Sequence, residues 1–134
     1  MFKVLLVDDD EALRSILRAV LEHINCSVTE ASTGESAAAF LERDCPDVLI
    51  TDLVMPGLLG LDLVRRSRLI NPGTKIIAMS GAGHVVKADY LKMASALGAD
   101  IVLEKPFSPD RLITAMEKLR EPLADLPPAS ADTE

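Results

Sequence analysis

The chain has 134 residues, 49% of them apolar, and its 21 acidic against 14 basic side chains leave a formal net charge of −7. That is one domain with one real core; the chain is too short for two and too apolar to be disordered. A sequence pI near 4.8 argues against binding nucleic acid through the overall field and favours a protein that attracts cations.

No apolar run approaches membrane-spanning length, and Met1-Phe2-Lys3 leads into only four apolar residues before Asp8. The expectation is a soluble, cytoplasmic protein without a signal peptide or a membrane partner. Cys26 and Cys45 lack C-x-x-C or zinc spacing and read as small, reduced, core-type residues.

Lys3–Val7 reads as a buried strand that runs into Asp8-Asp9-Asp10-Glu11. A helix follows, with Leu13, Ile16, Leu17, Val20, Leu21 and Ile24 at helical spacing and acids in its first turn, where the dipole favours them. Cys26–Ala31 is a half-polar strand suited to an edge, and Thr33-Gly34-Glu35 opens an Ala-rich helix to Arg43. Val48-Leu49-Ile50 then drives into Thr51-Asp52, and Met55-Pro56-Gly57 stops it. A short run without alternation, closed by a breaker, is a strand buried on both faces. Asp52 thus ends a central strand, where a carboxylate is costly unless a cation or donors compensate it.

A helix is expected from Leu61 to about Leu69, stopped by Asn71-Pro72-Gly73, and a fourth strand over Lys75–Met79 runs into Ser80-Gly81-Ala82-Gly83. The next helix spans about His84 to Leu97, with Gly98 as its stop. Ile101–Leu103 is a fifth strand before Glu104-Lys105-Pro106-Phe107, and Ser108-Pro109-Asp110 starts a last helix with Leu112, Ile113, Met116 and Leu119 inward. Residues 1–120 form the domain, and 121–134 read as a tail or linker stub. Five mostly apolar strands alternating with five helices predict an α/β fold: a doubly wound parallel sheet with helices on both faces.

In such a sheet the ligand site lies beyond the carboxyl ends of the strands. Those ends carry Asp8-Asp9, Asp52, Ser80 and Lys105, while the second strand's end, Ala31-Ser32, is chemically bland. Clustered carboxylates repel unless a divalent cation joins them, and Mg²⁺ suits an all-oxygen set. Adjacent strand residues face opposite ways, so one of Asp8 and Asp9 reaches the metal directly and the other through water. Lys105 and Ser80 suit phosphoryl oxygens, and Asp52 could attack phosphorus to become an aspartyl phosphate. His23, His84, Phe40 and Tyr90 read as structural or solvated. Ser80–Gly83 is no P-loop, because it lacks the Gly-Lys-Ser/Thr ending.

Leu6-Val7-Asp8-Asp9-Asp10, Asp52 with Met55-Pro56-Gly57, Ser80-Gly81 and Lys105-Pro106-Phe107 together resemble the receiver domain of two-component response regulators, over about residues 1–120. The resemblance implies the strand order 2-1-3-4-5 of flavodoxin-like and CheY-like folds. Asp52 would take a phosphoryl group from a histidine on a sensor kinase or phosphotransfer protein. Asp9 would bind Mg²⁺ directly, Asp8 through water, and the Val54 carbonyl would complete the set. Ser80 would turn toward the phosphoryl group, Lys105 would pair with it, and the Lys105-Pro106 bond would be cis. A downstream protein would meet the surface of the fourth helix, fifth strand and fifth helix.

Val102 departs from the pattern, for it stands where the family has an aromatic switch residue. Activation would then rest on the Ser80–Gly83 loop and the following helix. Val54 and Ala82 carry no polar group to orient a water, which implies a long-lived phosphoryl group. Two alternatives stay open: a receiver-like scaffold that does not switch, and an aspartyl-phosphate phosphatase. The latter is disfavoured because it would need a second acid where Val54 stands.

Overall fold

The computed structural model describes residues 1–55, 60–81 and 87–120, with the backbone alone for 87–91. Pro56 and Gly57, Ala82 and Gly83, His84, the Tyr90 side chain and the tail 121–134 lie outside the described residues.

Ten elements alternate: β1 (Phe2–Val7), α1 (Glu11–His23), β2 (Cys26–Ala31), α2 (Gly34–Arg43), β3 (Val48–Asp52), α3 (Gly60–Ile70), β4 (Lys75–Ser80), α4 (Lys87–Leu97), β5 (Ile101–Glu104) and α5 (Pro109–Arg120). The strands form one parallel sheet in the order β2-β1-β3-β4-β5. The half-polar β2 lies at an edge, as its alternation predicts, and β3 is buried along its whole length.

Strand alternation divides the core between two faces. Val4, Leu6, Val48, Ile50, Ile77, Met79 and Leu103 pack against Leu17 and Leu21 of α1 and Leu112, Met116 and Leu119 of α5. Leu5, Val7, Leu49, Ile76 and Ala78 pack with Ala37 and Leu41 of α2, Leu63 and Val64 of α3, and Ala94 of α4. Each fully buried leucine or isoleucine contributes roughly 1.5–3 kcal/mol, so both faces are needed.

Local chemistry sets the helix ends. Asp10 caps α1 by accepting from the Leu13 N–H at 3.1 Å, and Thr33 caps α2 by accepting from the Ser36 N–H at 3.0 Å; each cap contributes about 1 kcal/mol. Gly98 follows α4 at φ +117°, a conformation that other residues rarely adopt.

Two expectations need correction. Ile16 belongs to the apolar stripe of α1, yet it is 57% exposed. It lies about 100° around the helix from buried Leu17, beyond the face that the sheet covers. Cys26 is buried but Cys45 is exposed, and both are free thiols. Cys45 follows the end of α2, outside the layers that the core fills.

Candidate functional site

Register places the polar strand ends on one rim. Val7 pairs with Thr51, Asp52 with Met79, and Ser80 with Glu104. Asp8 therefore leaves β1 beside the end of β3, and Ser80 stands one residue beyond the level of Asp52. Ser80 is buried, and its carbonyl accepts from the Lys105 N–H at 2.8 Å, which ties the β5 exit to β4. The Lys105-Pro106 bond is cis, as the resemblance implies.

Lys105, on the loop after β5, reaches back across the rim. Its ammonium donates to Asp8 Oδ2 at 2.7 Å and lies 3.4 Å from Asp52 Oδ2. Asp8 Oδ1 accepts from the Asp10 N–H at 3.0 Å, so both oxygens of this buried carboxylate are engaged. Asp52 is only 6% exposed, and its Oδ1 is buried without a partner. Asp9 is exposed, and one oxygen from each of Asp8, Asp9 and Asp52 lies within 4.8 Å of the others. The acidic run after β1 thus divides its labour: Asp10 caps a helix while Asp8 and Asp9 face the cluster.

Burial pushes the Asp52 carboxyl above its usual range, and the neighbouring Asp8 charge adds to this, against the pull of Lys105 and of the Val54 backbone N–H. For Lys105, burial works to lower the pKa. The hydrogen bond to Asp8 and the charges of Asp52 and Asp8 outweigh it, so the ammonium is held above its usual range. The two shifts differ in cause: burial dominates at Asp52, whereas the acids around Lys105 overcome burial there.

The close approach of α3 completes the wall. The Gly60 N–H donates to the Leu53 carbonyl at 3.1 Å, and a Cβ at Gly60 would lie 1.9 Å from the Asp52 carbonyl oxygen. Only glycine lets this helix start against the strand end that carries Asp52. Val54 is half-buried against the core on that face. Val102 pairs with Ala78 and is half-buried on the same face.

Two residues that the sequence reading passed over join the site. Arg14 of α1 donates to the Asp8 carbonyl at 2.8 Å and to Glu30 Oε1 at 2.8 Å, so β2, bland at its very end, contributes through Glu30. The only sequence signal was the i, i+4 pair Arg14 and Arg18 opposite a lone acid in β2.

The chain as a whole is similar to known proteins. The sequence profile of the response regulator receiver domain matches residues 4–117. This chain belongs to the response regulator receiver family. The receiver is 28% identical to sporulation initiation phosphotransferase F of Bacillus subtilis, over 87% of this chain and 91% of that protein. It is 30% identical to the chemotaxis protein CheY of Thermotoga maritima, over 87% of this chain and 96% of that protein. A receiver domain crystal structure from Clostridium thermocellum superposes with a TM-score of 0.83 at 29% identity, covering 92% of this chain and 99% of that one. Several transcriptional regulators also match, and the receiver spans 25% to 48% of their length. The protein is a phosphoryl-accepting response regulator receiver, a member of a signalling family. Among the described residues no helix is long and apolar enough to cross a membrane.

Proposed function

We propose that Asp52 is the phospho-acceptor and that Asp8, Asp9, Asp52 and the Val54 carbonyl hold Mg²⁺. The unpartnered Oδ1 of Asp52 carries this reading. A buried anionic oxygen left without a donor costs about 1–3 kcal/mol or more, which a ligand would recover. The donor set fits a hard divalent ion: all its atoms are oxygens, gathered from three acids within 4.8 Å. Asp8, whose two oxygens are already engaged by Asp10 and Lys105, suits contact through a water, while exposed Asp9 suits direct contact. Bound there, Mg²⁺ would neutralise carboxylate and phosphoryl charge and so permit two anions to meet.

This chain's residues then have defined work. An Asp52 carboxylate oxygen attacks phosphorus in line, the bond from phosphorus to the donor histidine nitrogen breaks, and its electron pair leaves on that nitrogen. The Lys105 ammonium, already between Asp8 and Asp52, supplies charge to a phosphoryl oxygen. The Ser80 hydroxyl donates to another. Val102 offers no ring to swing, so the signal passes through the loop that begins at Ser80 and through α4. The phosphoryl group is long-lived because neither Val54 nor Ala82 orients a water. Turnover of a separate phosphorylated substrate is not part of this reading, since Val54 supplies no second acid.

The donor is a histidine on a sensor kinase or phosphotransfer protein. The target is a protein that reads the α4–β5–α5 surface, and the setting is the cytoplasm. Incubation with Mg²⁺ and a small phosphodonor, read by intact mass, tests the acceptor. The wild type should gain one phosphoryl group and Asp52→Asn none; equal labelling of the two would overturn the assignment.

A further inference from the structure

The peptide that joins Asp8 to Asp9 is gripped from outside the acidic cluster. Arg14 Nη1 donates to the Asp8 carbonyl at 2.8 Å, while its Nε donates to Glu30 Oε1 at 2.8 Å. Glu30 uses its other oxygen to accept from Arg18 Nη1 at 2.7 Å, and Arg18 Nε also donates to Glu22 at 3.0 Å. These two arginines hold Glu30 below the usual carboxylate range, Arg14 most strongly. The Arg14 side chain is 13% exposed, against 43% for Arg18. A guanidinium is a planar fork, so its two bonds fix each other's directions.

We infer that Arg14 is a positioning residue for the cation site. It holds the Asp8–Asp9 peptide so that both carboxylates are presented to Asp52, and Glu30 anchors it from β2. The inference rests on the proposed Mg²⁺ role of Asp8, Asp9 and Asp52. It makes a prediction that charge alone contradicts. A positive group beside an acidic cluster repels a divalent cation, so deleting it by charge alone would tighten Mg²⁺ binding. Deleting a bond that orients ligands would loosen it, and such supporting partners are typically worth about 10–100-fold in metal affinity.

Arg18 is the built-in control, because it carries the same charge and shares Glu30 but bonds to Glu22 where Arg14 bonds to Asp8. The experiment is calorimetric titration of Mg²⁺ into wild type, Arg14→Met and Arg18→Met at fixed ionic strength. Thermal unfolding in metal-free buffer first establishes that each is folded. Arg14→Met should weaken Mg²⁺ binding about tenfold or more, and Arg18→Met should leave it unchanged or slightly tighter. Wild-type or tighter affinity in folded Arg14→Met overturns the inference, as does equal weakening in both variants. If Arg14→Met fails to fold, Arg14→Lys decides, for it keeps the charge and loses the fork: weakened binding supports the inference and wild-type binding overturns it. A wild type that takes up no Mg²⁺ would sink the proposed metal site itself, an outcome distinct from failure of Arg14 alone.

Discussion

Both rims of the sheet carry charged side chains in or near the core, and they treat them in opposite ways. At the amino ends of β4 and β5, Arg68 donates to the carbonyls of Pro72, Thr74 and Gly98 and to Asp100 Oδ2. Asp100 Oδ2 accepts in turn from the Ile76 N–H at 2.8 Å, and buried Thr74 donates from its hydroxyl to the Pro46 carbonyl at 2.7 Å. Asp47, before β3, accepts from the Lys3 N–H at 2.8 Å. That rim is closed on itself. At the carboxyl ends one lysine serves two buried carboxylates, and Asp52 Oδ1 has nothing. Among the described residues the other unpartnered buried side-chain atom is Ser67 Oγ, a neutral hydroxyl whose burial costs less than that of a charge. A closed polar cluster holds a fold together, whereas an anionic acceptor left open keeps a place for a ligand at the expense of stability.

The sharpest way to test this contrast is to exchange the consequences of damage at the two rims. Lys105→Met should have the largest effect, slowing phosphorylation by small phosphodonors about a hundredfold. It should also lower metal-free stability by about 3 kcal/mol, because two buried carboxylates lose their cation. Labelling followed by intact mass and urea unfolding reads both, and wild-type labelling would break the contrast. Arg68→Met should do the reverse. Stability should fall by about 2 kcal/mol as several acceptors lose their donor, while the labelling rate of the folded protein stays at wild type; a slowed rate would mean that the two rims are coupled.

The smallest effect is the most diagnostic. Burial raises the Asp52 pKa, so the native protein binds that proton more tightly than the unfolded chain does. Stability therefore falls as pH rises from the unfolded-chain value of 3.8 toward the higher native value. Above the native value the penalty is complete. Asp52→Asn should then be more stable than wild type by about 1 kcal/mol at neutral pH without metal, and the advantage should vanish below the unfolded-chain value. Thermal unfolding across pH checks it. A variant less stable at neutral pH would mean that Asp52 holds the fold instead of straining it.

How much of this was legible beforehand varies residue by residue. The stretch from Val48 to Asp52 announced a strand buried on both faces with an acid at its end, and the structure buries all five of its residues. The order of ten elements, the Thr33 and Pro109 helix starts and the Gly98 stop were equally readable. The exposure of Ile16 was not, because spacing gives a stripe but not how much of it a neighbouring layer covers. The helix was expected from Leu61, and the contact of Gly60 with the Asp52 carbonyl depends on where α3 begins in space.

Helical and strand periods, caps and breakers act between residues a few positions apart, and so the sequence by itself determined the elements, their order and the acids that end them. The strand ends also put Asp8, Asp52 and Lys105 on one rim, but the tertiary structure alone decided which atoms bond there and which charges join from other elements. Lys105 reaches Asp8 across 97 positions, and Arg14 finds Glu30 across 16. Those pairings follow from strand register and helix rotation, which are properties of the packed whole and leave no local trace in the chain.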